Sequence, residues 1–419
     1  MTPARPAGLP LRAVLIAVIA LYLVAETALA PFLPQLFDRL YGVDDPGATG
    51  LYLWVCRIVG LVVLPLWGLA ARRVPLHRCV VAGLCSAAAV DVMLGFAPNY
   101  AAFTALSAAS VACNAALLLA YPAFVAEHTR RAAGEQGDAE HAGLAAVRSI
   151  VVVFHVAAVA ATLVGAGVLA LPDLRLGVSA FAVVDVLLAV LIVRVLRRLP
   201  AGHGGPAAAP VRAPGPRRRW WLLLAQAALI GVAFDFALAV ARPFFTEFAE
   251  GLGSGSLGGA VLFFLPSVGA LAVLPAARRC HDRFGHRLLP LAALVCAAGF
   301  AWQYAAGGVP ALVGGRLLAG LGLGLAQVAV EMRMFRSTGT AGPAFTAVET
   351  VRSAGLIAAP LLSAAAVSHD LALPLAIAAA ALLCVSALSL PKSPAPVPAE
   401  GLPHPSPVPV PVHAEEYDR

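Results

Sequence analysis

Val147-Arg148-Ser149-Ile150-Val151-Val152-Val153-Phe154 and Val351-Arg352-Ser353-Ala354-Gly355-Leu356-Ile357 decide how this chain folds. Each opens a long apolar run with an arginine, and the two Val-Arg-Ser triplets stand 204 positions apart. A charge at mid-bilayer costs roughly 2.5–3.5 kcal/mol on insertion scales. Two such residues in matching places point to a duplicated helical bundle with a polar interior.

The rest of the composition agrees. The chain is 60% hydrophobic and 12% charged, with mean hydropathy +0.86. Soluble domains carry about 25% charged residues, so lipid is the main solvent here. Runs near the ~20 residues needed to cross a bilayer recur along most of the length. Twelve of them cover 11–33, 50–70, 79–98, 102–126, 144–171, 177–195, 220–241, 257–277, 287–306, 309–331, 346–367 and 371–391, spans 1 to 12. Their Ala, Leu and Gly content favours helices over barrel strands. The expected fold is an all-α membrane protein, with twelve transmembrane helices in two pseudo-symmetric six-helix bundles. The first run resembles a secretory signal in its flanks, but Pro31 would follow the cut and eleven spans come after it.

Basic residues set the expected orientation. Seven arginines lie in 194–219, four in 278–287 and three in 72–78, whereas the opposite loops hold only Arg39, Arg175 and Arg242. The positive-inside rule then makes both termini and the 194–219 loop cytoplasmic, in a multi-pass protein of the plasma (inner) membrane. The net charge of +7 is spent on topology, and no nucleic-acid partner is expected. The domain plan is an N-terminal bundle over 1–193, a basic linker over 194–219, a C-terminal bundle over 220–391 and a disordered Pro-rich tail over 392–419. The seven cysteines show no metal-ligand spacing and read as small core residues.

The halves look like repeats. Pro31-Phe32 matches Pro243-Phe244, Val59-Gly60 with Leu64-Pro65 matches Val268-Gly269 with Leu274-Pro275, and the Val-Arg-Ser triplets complete the series in the same order. Between spans 8 and 9, Asp282-Arg283-Phe284-Gly285-His286-Arg287 matches the Asp-Arg-x-Gly-x-Arg loop signature of the major facilitator superfamily. The loop between spans 2 and 3 keeps Gly68, Arg73 and Arg78, with Arg72 in the aspartate's place and Pro75 in the glycine's. Over residues 11–391 the chain thus resembles a major facilitator transporter. Span 5 has Gly165 and Gly167 but lacks the full Gly-Pro pattern of drug antiporters. The arginines of spans 5 and 11, with Ala341-Gly342 before Arg352, are similar to the sugar-efflux-type exporter branch, and siderophore or antibiotic exporters fit equally.

The charged residues within spans are the candidate site. Glu26 and Arg57 lie about seven residues from the outer ends of spans 1 and 2, and Asp235 and Arg316 fall at a similar depth in spans 7 and 10. These four are expected to form an outer polar layer. Arg148, Arg352, Glu331 and Glu349 lie nearer the cytoplasm and are expected to form an inner gate or an anion contact, guanidinium being suited to carboxylate or phosphate. The bland alternative is fixed pairing within each half, Glu26 with Arg57 and Glu349 with Arg352. Glu26 and Asp235 are the candidate proton-coupling acids, with a permanently paired structural acid as the alternative. His155 shares a helical face with Arg148 and reads as a core residue; Asp91 and Asp185 read as helix–helix hydrogen-bonding groups. The glycines 320, 322 and 324 read as close-packing positions.

The Gly-rich stretch 251–256 lacks the strand and the Lys-Ser/Thr of a phosphate loop, so no ATP is expected. Nor is a catalytic cluster visible, and an enzyme is not expected. Together these readings imply a monomeric secondary transporter that uses the proton gradient and no cofactor, exporting a small polar or amphipathic metabolite. Proton-symport import of an anionic small molecule is the alternative, followed by a receptor or enzyme on the same scaffold.

Overall fold

Proline decides where several spans end. In the computed structural model, which describes residues 9–71, 73–118, 139–196, 217–338 and 343–390, the helix of span 1 runs Leu9–Thr27 and gives way to a 3-10 turn, Ala30–Phe32. Pro31 has no N–H to offer the Thr27 carbonyl, so the helix stops short of 33. The chain restarts as a short helix, Leu33–Tyr41, closed by Gly42 in the left-handed conformation (φ 63°). Span 7 repeats this plan with Arg217–Val240, a turn at Pro243 and a short helix, Phe245–Gly251. Phe32 (φ −116°, ψ 8°) and Phe244 (φ −112°, ψ 10°) enter the two short helices with nearly the same backbone conformation. The Pro-Phe match in the sequence is therefore a match between two elbows, and their end of the bundle, expected to face outward, is the elbow end.

Each of the twelve runs carries helix. The others are Pro46–Ala70, Leu76–Leu94, Tyr100–Leu118, Ala139–Leu169, Phe181–Leu196, Gly255–Val273, Leu288–Tyr304, Val309–Thr338, Pro343–Gly355 with Ala358–Val367, and Leu373–Ser389. Among the described residues nine stretches are long and apolar enough to cross a membrane, one of them, Gly255–Tyr304, holding two runs. The chain is a multi-pass, all-helical membrane protein. Span 11 is interrupted before Ala358 because Pro360 cannot donate to the Leu356 carbonyl.

Three helices extend further than expected at the linker end, the end opposite the elbows. Span 5 starts at Ala139, span 10 continues to Thr338 and span 11 starts at Pro343. Hydropathy stops at the first cluster of charges, but Glu, Met and Arg are strong helix formers, and 331–336 stays helical. With these extensions Glu331 lies seven residues before the end of its helix and Arg352 nine residues after the start of its own.

Small residues bring the helices together. A Cβ on Gly320 would lie 2.4 Å from the Pro266 carbonyl oxygen of span 8, and one on Gly322 would lie 2.4 Å from the Cys296 nitrogen of span 9. Span 10 thus packs on two neighbours through alternate glycine faces. One apolar core spans Ile230 to Val385, while Leu144, Val147 and Val151 of span 5 pack on Leu274 of span 8's end and on Val328 and Met332 of span 10, joining the two sets of six. At the elbow end the sets also touch: Thr246 Oγ1 donates to the Pro31 carbonyl at 2.6 Å, and Gln35 Nε2 donates to Glu250 Oε1 at 2.9 Å. All seven cysteines are free thiols. Most of the expected linker, the whole tail 392–419 and Arg72 lie outside the described residues.

Candidate functional site

Span 11 delivers Arg352 into the C-terminal set, and Gly231 of span 7 makes room for it. A Cβ at Gly231 would sit 2.7 Å from Arg352 Cδ. The guanidinium then meets Asp235 in bidentate fashion, Nε to Oδ2 at 2.8 Å and Nη2 to Oδ1 at 3.1 Å. Nη2 also donates to Glu331 Oε1 at 3.1 Å, and Nη1 lies 3.2 Å from Met334 Sδ. Arg352 is buried, while the two carboxylates keep 23% of their side-chain surface open, so this ion-paired triad is only partly covered by protein.

In this structure the residues of the two expected layers pair differently. Asp235 does not join an outer layer with Arg316; it pairs with Arg352 of the supposed inner layer. The cause is helix length, because spans 10 and 11 are extended and Arg352 lies nine residues past Pro343. Arg316 leaves the layer for another reason. Pro266 of span 8 cannot donate to the carbonyl one turn back, and in lipid a free carbonyl is costly. Arg316 satisfies it: Nε donates to the Leu262 carbonyl at 2.8 Å, Nη2 to the Phe263 carbonyl at 2.7 Å and Nη1 to Gln303 Oε1 at 3.3 Å. Its guanidinium lies 3.6 Å from the Phe245 ring centroid, and the residue is buried. Arg316 caps the carbonyl that Pro266 leaves open inside a continuous helix.

Glu26 and Arg57 are both exposed and form no ion pair with each other. Tyr22, one turn before Glu26, lies within reach of both. The fixed Glu26–Arg57 pair is thus not made. Arg148 is half-buried and enters no ion pair among the described residues. The side chain of Glu349, expected beside Arg352, lies outside the described residues. His155 of span 5 reaches across to span 8, its Nδ1 lying 3.3 Å from Ser267 Oγ, while Nε2 finds no partner although Gln327 is adjacent. Asp91 and Asp185 face each other between spans 3 and 6, near Ser110 and Asn114, both buried.

Arg242, which sequence reasoning treated as a loop residue, lies in the same region. It sits in the elbow of span 7, enclosed by protein yet exposed, within electrostatic reach of Arg57, Asp235 and His155. Its position just before Pro243, at the kink shared by both repeats, was the signal available in the sequence. The loop signature is placed apart from this region. Asp282, Arg283, Gly285 and Arg287 occupy the short helix Ala277–Phe284 and the turn after it, exposed, with Gly285 at φ 49° and Arg278 Nε 3.9 Å from Asp282. Gly68 ends span 2, and Arg73 and Arg78 are exposed beyond it.

No family model matches the sequence, and no curated protein does. Solved structures do. The human organic anion transporter MFSD10 (TETRAN) is similar with a TM-score of 0.63 at 18% identity, over 92% of this chain and 100% of that one. The nucleoside transporter NupG is similar with a TM-score of 0.60 at 12% identity, over 90% of this chain and 96% of that one. Twelve helical spans, two matching elbows and end-to-end likeness to two transporters give this chain the fold of the major facilitator superfamily.

Proposed function

We propose that the chain is a secondary active transporter of the plasma (inner) membrane, a proton-coupled exporter of a small polar or amphipathic metabolite such as a sugar, siderophore or antibiotic. It works by alternating access as a monomer, with both termini cytoplasmic, without ATP or a cofactor. The observation that supports it most is the Asp235–Arg352–Glu331 triad, an ion-paired group retained inside an apolar bundle with both carboxylates partly open. Two carboxylates share one guanidinium, so a proton on Asp235 loosens its hold on Arg352 and allows the helices carrying them to separate. Glu26 offers a second carboxyl, exposed and beside Tyr22. One proton crossing the membrane carries roughly 2.3 kcal/mol per 100 mV, enough to bias the cycle.

Everted and right-side-out vesicles under an imposed pH gradient test the reading, with a labelled glycoside, ferric siderophore and macrolide as cargoes. Export predicts accumulation in everted vesicles with an acidic lumen, lost in Asp235→Asn. Accumulation in right-side-out vesicles with an acid exterior would reverse the direction. If Asp235→Asn and Glu26→Gln both keep gradient-driven flux, neither is the coupling group.

A further inference from the structure

Two acids are buried within the N-terminal set, Asp91 of span 3 at 8% exposed and Asp185 of span 6 at 2%. Packing brings them to one seam. Leu84, Leu117 and Leu188, of spans 3, 4 and 6, meet in a single apolar cluster. Spans 3 and 4 approach closely there, and a Cβ on Gly83 would lie 2.6 Å from the Cys113 carbonyl oxygen. Asp91 follows Leu84 by seven residues, Asp185 precedes Leu188 by three, and Ser110 and Asn114 precede Leu117 by seven and three. Those spacings keep all four polar residues on the helix faces that the leucines bring together. Asp91 lies beside Ser110, and Asp185 beside Asn114. On the elbow side Ser179 Oγ donates to the Val92 carbonyl at 3.1 Å and closes the seam.

Acceptors outnumber donors in this seam. Asn114 Nδ2 donates to Ser110 Oγ at 3.5 Å, while Asn114 Oδ1 and Asp185 Oδ2 are buried with no hydrogen-bond partner. Neither acid forms an ion pair among the described residues. Arg175 spends Nη1 on the Gly95 and Ala97 carbonyls. Arg78 and Arg194 lie thirteen and nine residues along the acids' own helices, about 20 and 14 Å away. Tyr22 of span 1 and Cys113 of span 4 bear no positive charge, and Glu26 and Arg57 are the charged groups near Tyr22. Buried carboxylates without a counter-charge are costly.

We infer that Asp91, Asp185, Ser110 and Asn114 form a sodium-binding site within the N-terminal half. Hard cations take oxygen ligands, and these side chains offer carboxylate, hydroxyl and amide oxygens. A monovalent ion suits so buried a seam better than a divalent one, because the cost of stripping water from an ion grows with the square of its charge. Thr104 and Ser107, six and three residues before Ser110 on the same face of span 4, have buried hydroxyls with no partner and mark the entry path from the elbow end. The site lies inside one bundle, apart from Asp235 and Arg352. Sodium there fastens spans 3, 4 and 6 to one another, whichever way the chain moves cargo and whatever drives it.

Thermal unfolding of the purified full chain in detergent tests it, in the chlorides of sodium, potassium, calcium or choline at matched ionic strength. Sodium should raise Tm by several degrees over choline, and potassium, a larger ion, far less. Carboxyls release protons when they take a metal, so the sodium increment should grow from about pH 6 to about pH 8. Asp185→Asn and Asn114→Ala should each abolish the increment, and Asp44→Asn, an exposed loop change, should keep it. Where Asp185→Asn fails to fold, Asn114→Ala decides, because it leaves both carboxylates in place. No sodium increment in the wild type, one that potassium matches, or one that survives Asn114→Ala overturns the site. An increment given by calcium and not by sodium overturns the assignment to a monovalent ion.

Discussion

Arg352 holds Asp235 through two donors, at 2.8 and 3.1 Å, across spans 11 and 7. Removing one partner of a buried ion pair typically costs about 3–5 kcal/mol, and the partial exposure of Asp235 puts Asp235→Ala toward the lower end. Gly231→Ala keeps every charge yet places a methyl against the arginine stem, so it should cost about 1–3 kcal/mol by overpacking and displace the guanidinium. Both variants should lower Tm and transport together. If Gly231→Ala leaves flux intact, the position of Arg352 is not critical.

The pairing of Arg316 with the turn broken by Pro266 gives a rescue prediction. Arg316→Met strands the Leu262 carbonyl, at about 1–3 kcal/mol, and removes a second donor from the Phe263 carbonyl. Pro266→Ala restores an N–H that the Leu262 carbonyl can accept. The double variant should therefore unfold above Arg316→Met alone. A Tm for the double variant at or below that of the single would show that Arg316 does something other than cap this helix.

The twelve spans and the internal duplication were legible because membrane helices are written in hydropathy and because Pro31-Phe32 and Pro243-Phe244 mark the same bend twice. The charged interior was legible only as a set of residues. Depth was counted from hydropathy boundaries, and charged helix formers such as Glu331 to Arg336 carry a helix past them, which put Asp235 and Arg352 in different layers. The bonds of Arg316 were not legible because one partner is a backbone carbonyl released by a proline 50 residues earlier, a relation visible only once spans 8 and 10 are packed. Arg242 was overlooked because it follows its span directly, where hydropathy reports a loop and not an inward-turned elbow.

Glu247 makes the elbow end sensitive to pH. Burial first, then the charges of Glu250 on its own helix and Asp38 on the facing elbow, raise its pKa to about 7 from an ordinary 4.5. Gln35 of that facing elbow is engaged with Glu250. Between those two pH values the folded protein keeps a proton that the unfolded chain has released. Stability should therefore fall as pH rises from about 4.5 to about 7 and level off above. Thermal unfolding across this range should show that slope, and Glu247→Gln should flatten it. A wild-type profile that rises through the window would contradict the assignment.

Gln35 and Glu250 touch at the elbow end from opposite halves, so alternating access requires that they part in every cycle. In a background lacking the native cysteines, Gln35→Cys with Glu250→Cys joined by a short cleavable crosslinker should stop transport, and cleavage should restore it. Arg39 and Leu169 offer a control within one half, because Arg39 Nη1 donates to the Leu169 carbonyl at 2.9 Å between elements that move together. Crosslinking cysteines at those two positions should leave flux unchanged. If the Gln35–Glu250 crosslink goes to completion and flux persists, the elbow contact is a permanent tie between the halves. Cargo would then have to leave by a path that does not open there.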